Sequence, residues 1–174
     1  MRYIMLLAVA VVNLILTGTV FVNLNIAGIA PDILICSMVA IAVMEKNMTA
    51  AIIGGACGIV LDIMFIGIIG SYAIPLFVTG AVLYFASRHV RFTDGVLIPF
   101  LFALGAYFIK EMVSALIVYM LGYGFSLPFM MVRYILPNMI ATGVFMFIVY
   151  AIFKRIYRVP AMRPKFIDDI KKLL

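Results

Sequence analysis

Apolar residues fill this chain in six long stretches, at about residues 3–22, 29–44, 48–66, 72–87, 96–121 and 134–153, with short polar turns between them. Stretches such as IMLLAVAVVNLILTG do not alternate with period two, so they predict helices and exclude barrel strands. The second stretch is short for a full crossing, which calls for local thinning or an entry at the interface. The 45–47 segment reads as a tight polar turn, 88–95 as the most polar internal loop, and 23–28 and 122–128 as uncharged turns. The pattern predicts an all-α, polytopic membrane protein with six transmembrane helices over residues 1–156. A basic tail over 157–174 follows, in which Phe166, Ile167, Ile170, Leu173 and Leu174 can share one face of an interfacial helix.

Composition strengthens the membrane reading. Of the 174 residues, 67% are hydrophobic and only 11% charged, and the mean hydropathy is +1.27; no ordinary water-soluble domain has that balance. The first stretch lacks a convincing small-residue cleavage site and is expected to be retained. The net charge of +6 is distributed unevenly. Arg2, Lys46, Arg88, Arg91 and the tail basic residues Lys154, Arg155, Arg158, Lys171 and Lys172 fall on one side of a six-span layout. Arg133 is the exception on the other side, near a boundary. The positive-inside rule then makes the basic side cytoplasmic, with both termini there. Arg88, Arg91, Lys154, Arg155, Arg158, Lys171 and Lys172 read as facing anionic lipid, and nucleic acid is not expected. Cys36 and Cys57 lie in apolar stretches and read as buried small hydrophobes. With His89 alone among histidines, no metal site is expected, and no cofactor or catalytic motif appears.

Few polar residues interrupt the stretches, and each is informative. In GGACGIVLDIMF, Gly54, Gly58 and Asp62 recur every four residues. On a helix they share a face: a smooth stripe for close approach of another helix, ending in a carboxylate. Two readings of Asp62 stand open, a position at the aqueous rim and a partner-facing or fold-locking one. Pro31 suits a first helical turn, and Asp32 is favoured by the free N–H groups there. Asn13 is expected to hydrogen-bond across helices. Tyr107, Lys110, Glu111 and Ser114 share a broad face near the middle of the longest stretch. Lys110 and Glu111 point about 100° apart on a helix and need not pair. Two ionisable groups at that depth define a candidate site: an interhelical lock, a partner-binding position, or a proton or substrate path. Asn138, beside Pro137 early in the last stretch, joins the packing or partner-interface candidates. No nucleophile-and-base arrangement accompanies them, so catalysis is not expected.

The residues PDILI (31–35), GGACGIVLDIMF (54–65), the 66–80 stretch ending in GSYAIPLFVTG, YFIKEMVSALIVY (107–119) and LPNMIATGVFMFIVYAIFKRI (136–156) carry a resemblance. In this order, the chain resembles the MreD family of rod-shape-determining proteins over nearly its full length. The family's Pro-Asp falls on Pro31 and Asp32, its glycine-rich span ending in aspartate on Gly54, Gly58 and Asp62, and its tyrosine before a mid-span glutamate on Tyr107 and Glu111. Lys110 departs from the pattern and leaves the local charge balance open. The resemblance implies a non-enzymatic scaffold of bacterial cell-wall elongation in the cytoplasmic membrane. Its expected partner is a bitopic MreC-like protein, and the wider assembly includes the MreB filament, RodA and a class B penicillin-binding protein. It also implies a six-helix arrangement similar to the substrate-binding component of energy-coupling-factor transporters, hence the alternative of a small-molecule-binding vitamin-transporter subunit. Against that alternative, the alanine-x-x-x-alanine docking stripe is missing: Ala8 is followed by Val12 and Ala10 by Leu14.

Overall fold

A computed structural model of the chain describes residues 2–20, 30–66, 70–89, 97–122 and 127–157. Among these every regular element is helical. Helix α1 (Arg2–Ile15) continues into a π-helical turn (Leu16–Val20). Then follow α2 (Ile33–Glu45), α3 (Thr49–Leu61) with a π turn at Asp62–Ile66, α4 (Ala73–His89) and α5 (Leu97–Met120). A single turn, α6 (Leu127–Met130), runs through a further π turn (Met131–Ile135) into α7 (Leu136–Ile156).

Helix α2 is the axis of the bundle, packed against α1, α3, α4, α5 and α7. Every residue from Leu34 to Val43 is buried, with Ile35, Met38, Val39 and Ile41 wholly inaccessible. Its uniform apolarity therefore has a packing cause: a helix enclosed on all sides has no polar face to present. Its ends are well made. Asp32 is the N-cap, its side chain accepting from the Ile35 amide at 3.1 Å. Lys46 closes the other end at φ 51, its amide donating to Ala42 O. Beside that end Tyr157 Oη donates to Glu45 Oε1 at 2.9 Å, fastening the end of α7 to the end of α2.

The six-span expectation is corrected here. Among the described residues two helices are long and apolar enough to cross a membrane, Leu97–Met120 and Pro128–Ile156. Leu6–Gly18, Ile33–Glu45 and Thr49–Phe65 are shorter apolar helices. At 1.5 Å per residue, the 13 residues of α2 reach only about 20 Å, against a hydrocarbon core of about 30 Å. Counting apolar stretches treated burial in protein and exposure to lipid as one signal, and α2 is apolar because it is core. The six-helix arrangement that the resemblance implies, with its likeness to the transporter component, is therefore not found among the described residues. What stands is an all-α protein with two apolar helices long enough to span a membrane.

Smaller expectations also change. Pro31 lies before α2, outside its first turn. Asn13 bonds within its own helix, Nδ2 donating to Val9 O at 2.9 Å. Arg91, Arg158, Lys171 and Lys172, and the proposed tail helix beyond Tyr157, lie outside the described residues.

Candidate functional site

Two polar centres form at the end of the bundle where α2 and α4 begin. The first is Asp62, in the π turn that ends α3. It is 0% exposed. One carboxylate oxygen accepts from the Gly70 and Ala73 amides at 2.7 and 3.1 Å, and the other accepts from the Tyr72 amide at 2.6 Å. These are the free N–H groups at the start of α4, so Asp62 caps a neighbouring helix from across the turn. Its burial and its three amide contacts are those of a fold lock.

The glycine stripe leads to this cap. A Cβ on Gly58 would stand 2.5 Å from Ala73 Cα and 2.8 Å from its nitrogen, so the glycine lets the backbones of α3 and α4 touch where the cap forms. Gly54 instead faces the flexible end of Met38, and Gly80 on α4 meets the Ala51 backbone of α3. Gly80 thus completes the close approach from the opposite helix.

The second centre joins three chain segments. Lys110 Nζ lies 3.1 Å from Asp32 Oδ2 and 2.8 Å from Glu111 Oε1. Lys110 and Glu111 therefore do pair, and Lys110 bridges to a carboxylate 78 residues earlier. The side chains of Lys110, Asp32 and Glu111 are 11%, 17% and 17% exposed. The ammonium also sits 5.4 Å from the Tyr107 ring centre and 5.8 Å from that of Tyr72. From α7, Asn138 Oδ1 accepts from the Ala30 amide at 2.9 Å and Thr142 Oγ1 from the Asp32 amide at 3.0 Å. Cys36 Sγ donates to Thr142 O at 3.3 Å. Lys110 and Glu111 are central in α5, yet they stand level with the N-termini of α2 and α4, because α5 runs on past that end with Leu116, Tyr119 and Met120 exposed.

The structure thus gathers Asp32, Tyr107, Lys110, Glu111 and Asn138 at one centre and Gly58 and Asp62 at the other, with Gly54 along the same α3–α4 seam. Sequence reasoning missed Thr142 and Tyr72. Thr142 was findable, since it lies four residues after Asn138 and so shares its helical face. At the opposite end of the bundle, Arg88 and Arg155 are exposed and Lys154 half-buried. Arg88 Nη1 donates to Tyr84 Oη at 3.1 Å, its guanidinium 5.7 Å from that ring's centre. Among the described residues no group of three or more His, Cys, Asp or Glu side chains is placed to hold a metal ion.

No family model, no curated protein and no solved structure matches this chain.

Proposed function

We propose that this chain is a non-enzymatic scaffold subunit of bacterial cell-wall elongation, acting as the MreD family does and binding a bitopic MreC-like protein. The MreB filament, RodA and a class B penicillin-binding protein form the wider assembly. It resides in the bacterial cytoplasmic membrane as a multi-pass protein with both termini cytoplasmic, and Arg88, Lys154 and Arg155 face anionic lipid.

One observation carries this reading. The segments 31–35, 107–119 and 136–156, each part of the resemblance, converge on a single network through Asp32, Lys110, Glu111, Asn138 and Thr142. Two carboxylates against one ammonium leave the network one negative charge in excess, and both carboxylates keep some exposure. A charged centre of that kind, in apolar surroundings, suits helix association more than it suits stability alone.

The test is depletion and recovery in the source cell. Depleting the chain should turn rods into spheres, and a tagged chain solubilised in mild detergent should retain a single-span protein together with the elongation enzymes. Normal rods after depletion, with no single-span partner retained, would discard the scaffold reading.

A further inference from the structure

The two polar centres meet at one residue, Tyr72. The Tyr72 amide donates to Asp62 Oδ1 at 2.6 Å, while the Tyr72 ring centre lies 5.8 Å from Lys110 Nζ. Its place is set from both sides. Before it, Gly70 turns the chain at φ +112, in the left-handed region that favours glycine, and its amide is held by the same carboxylate. After it, the Ala73 amide is held too, and Ala73 packs on Gly58. Residue 72 is therefore pinned by its backbone, which fixes where its partly exposed ring is attached.

The ring matters because of what Lys110 lacks. An ammonium has three donors on a flexible stem. Two are engaged, by Asp32 and Glu111. The rings of Tyr72 and Tyr107 attract the positive charge through their faces and restrict where the stem can swing.

We propose that Tyr72 is a positioning residue that couples the Asp62 cap to the Lys110 triad: the cap fixes the backbone that carries the ring, and the ring's contact with the ammonium helps hold it between Asp32 and Glu111. The functional weight of this coupling rests on the triad's being the working site of the proposed scaffold. The coupling itself has a separate readout. Coupling between residues in contact is reciprocal, so disturbing the triad must loosen the cap, and only while the ring is there to transmit it.

The experiment is hydrogen exchange on the purified full-length chain in detergent micelles, read on peptides covering residues 70–76. Lys110→Met should speed exchange there by about tenfold, the middle of the range for coupled neighbours. The same acceleration should appear in a Tyr72→Phe background, which keeps the ring, and vanish in a Tyr72→Leu background, which does not. If Lys110→Met does not fold, Glu111→Gln disturbs the triad more gently and should give the same pattern at about threefold. Equal acceleration in the Tyr72→Leu background overturns the proposal. So does unchanged exchange in the wild-type background with helicity intact. A chain that shows the expected pattern yet retains no bitopic partner supports the coupling and counts against the scaffold reading alone.

Discussion

Asp62 and Asp32 are both carboxylates at helix starts, and they are used in opposite ways. Asp62 caps a helix other than its own, spends both oxygens on backbone amides and is sealed from solvent. Asp32 caps its own helix with one oxygen and gives the other to Lys110, on a side chain 17% exposed. Asp62's partners lie 8 to 11 residues away in sequence; Lys110 lies 78 residues from Asp32. The first arrangement is closed: both oxygens are held by backbone amides and the side chain is sealed from solvent. The second is a side-chain network with surplus charge and a partly open edge. A buried charge that is fully satisfied by fixed amides stabilises one structure, whereas one shared among movable side chains can be re-partnered.

The comparison breaks first at Asp62. Asp62→Ala removes three charge-assisted hydrogen bonds, each typically worth about 1.5–3 kcal/mol, and leaves amides at the start of α4 unpaired. The expected loss is at least about 4 kcal/mol, enough to unfold a chain of ordinary marginal stability. Denaturant titration in micelles, or protein abundance in the membrane, would read it. Asp62→Asn should fall between alanine and wild type, because its amide group turns N–H towards N–H. Asp32→Asn keeps an acceptor for the Ile35 amide and should be milder than Asp62→Asn. Equal losses for the two asparagine variants would mean that both aspartates are sealed locks and that the contrast is false.

A smaller effect sharpens the closed half. Gly58→Ala drives a methyl into the Ala73 backbone, which is part of the cap, at an overpacking cost of about 1–3 kcal/mol. Gly54→Ala meets the buried end of the Met38 side chain, which must repack, and stands 3.3 Å from Leu76 O. Both alanines gain roughly 1 kcal/mol in helix propensity, so Gly54→Ala, which displaces a side chain and not a backbone, should cost less than Gly58→Ala. Thermal unfolding of the two variants side by side separates a glycine that lets backbones meet from one that accommodates a side chain. If Gly54→Ala proves the worse, the cap does not depend on the α3–α4 approach.

The helices were legible because long apolar stretches between polar turns mark elements whatever surrounds them. Glu45 to Asn47 could be read as a turn, and Gly54, Gly58 and Asp62 as one face, from spacing alone. What surrounds each helix was not legible. The stretch that became α2 carries the same composition in a protein core as it would in lipid, so the six-span count failed there. Partners across the bundle were hidden for a related reason. Nothing local pairs Lys110 with Asp32, and the 100° between Lys110 and Glu111 left open a pair that a flexible lysine stem closes at 2.8 Å. The carboxylate of Asp62 could be seen to need a partner, but the amides that satisfy it belong to a turn whose path only the fold decides.

Glu111→Gln should disturb the fold little, and Glu111 gives the sharpest test of the open half. Its charge is balanced only in part, because Lys110 is shared with Asp32. Glu111→Gln keeps an oxygen acceptor for the Lys110 ammonium and leaves Asp32 and Lys110 as a neutral pair, so the fold should lose about 1 kcal/mol or less. Glu111→Ala removes the acceptor as well, with an expected loss of about 1–3 kcal/mol. Abundance in the membrane should therefore fall in the order wild type, glutamine, alanine, with glutamine near wild type. Partner retention should separate from abundance. If the surplus charge is what a partner helix recognises, Glu111→Gln loses co-purification of the single-span protein while remaining folded. Were Glu111→Gln to unfold the chain as Asp62→Ala does, the triad would be a second closed lock. Were it to keep both fold and partner yet stop elongation, the carboxylate would act after assembly, and Lys110→Gln would be the variant to examine for a proton or conformational step.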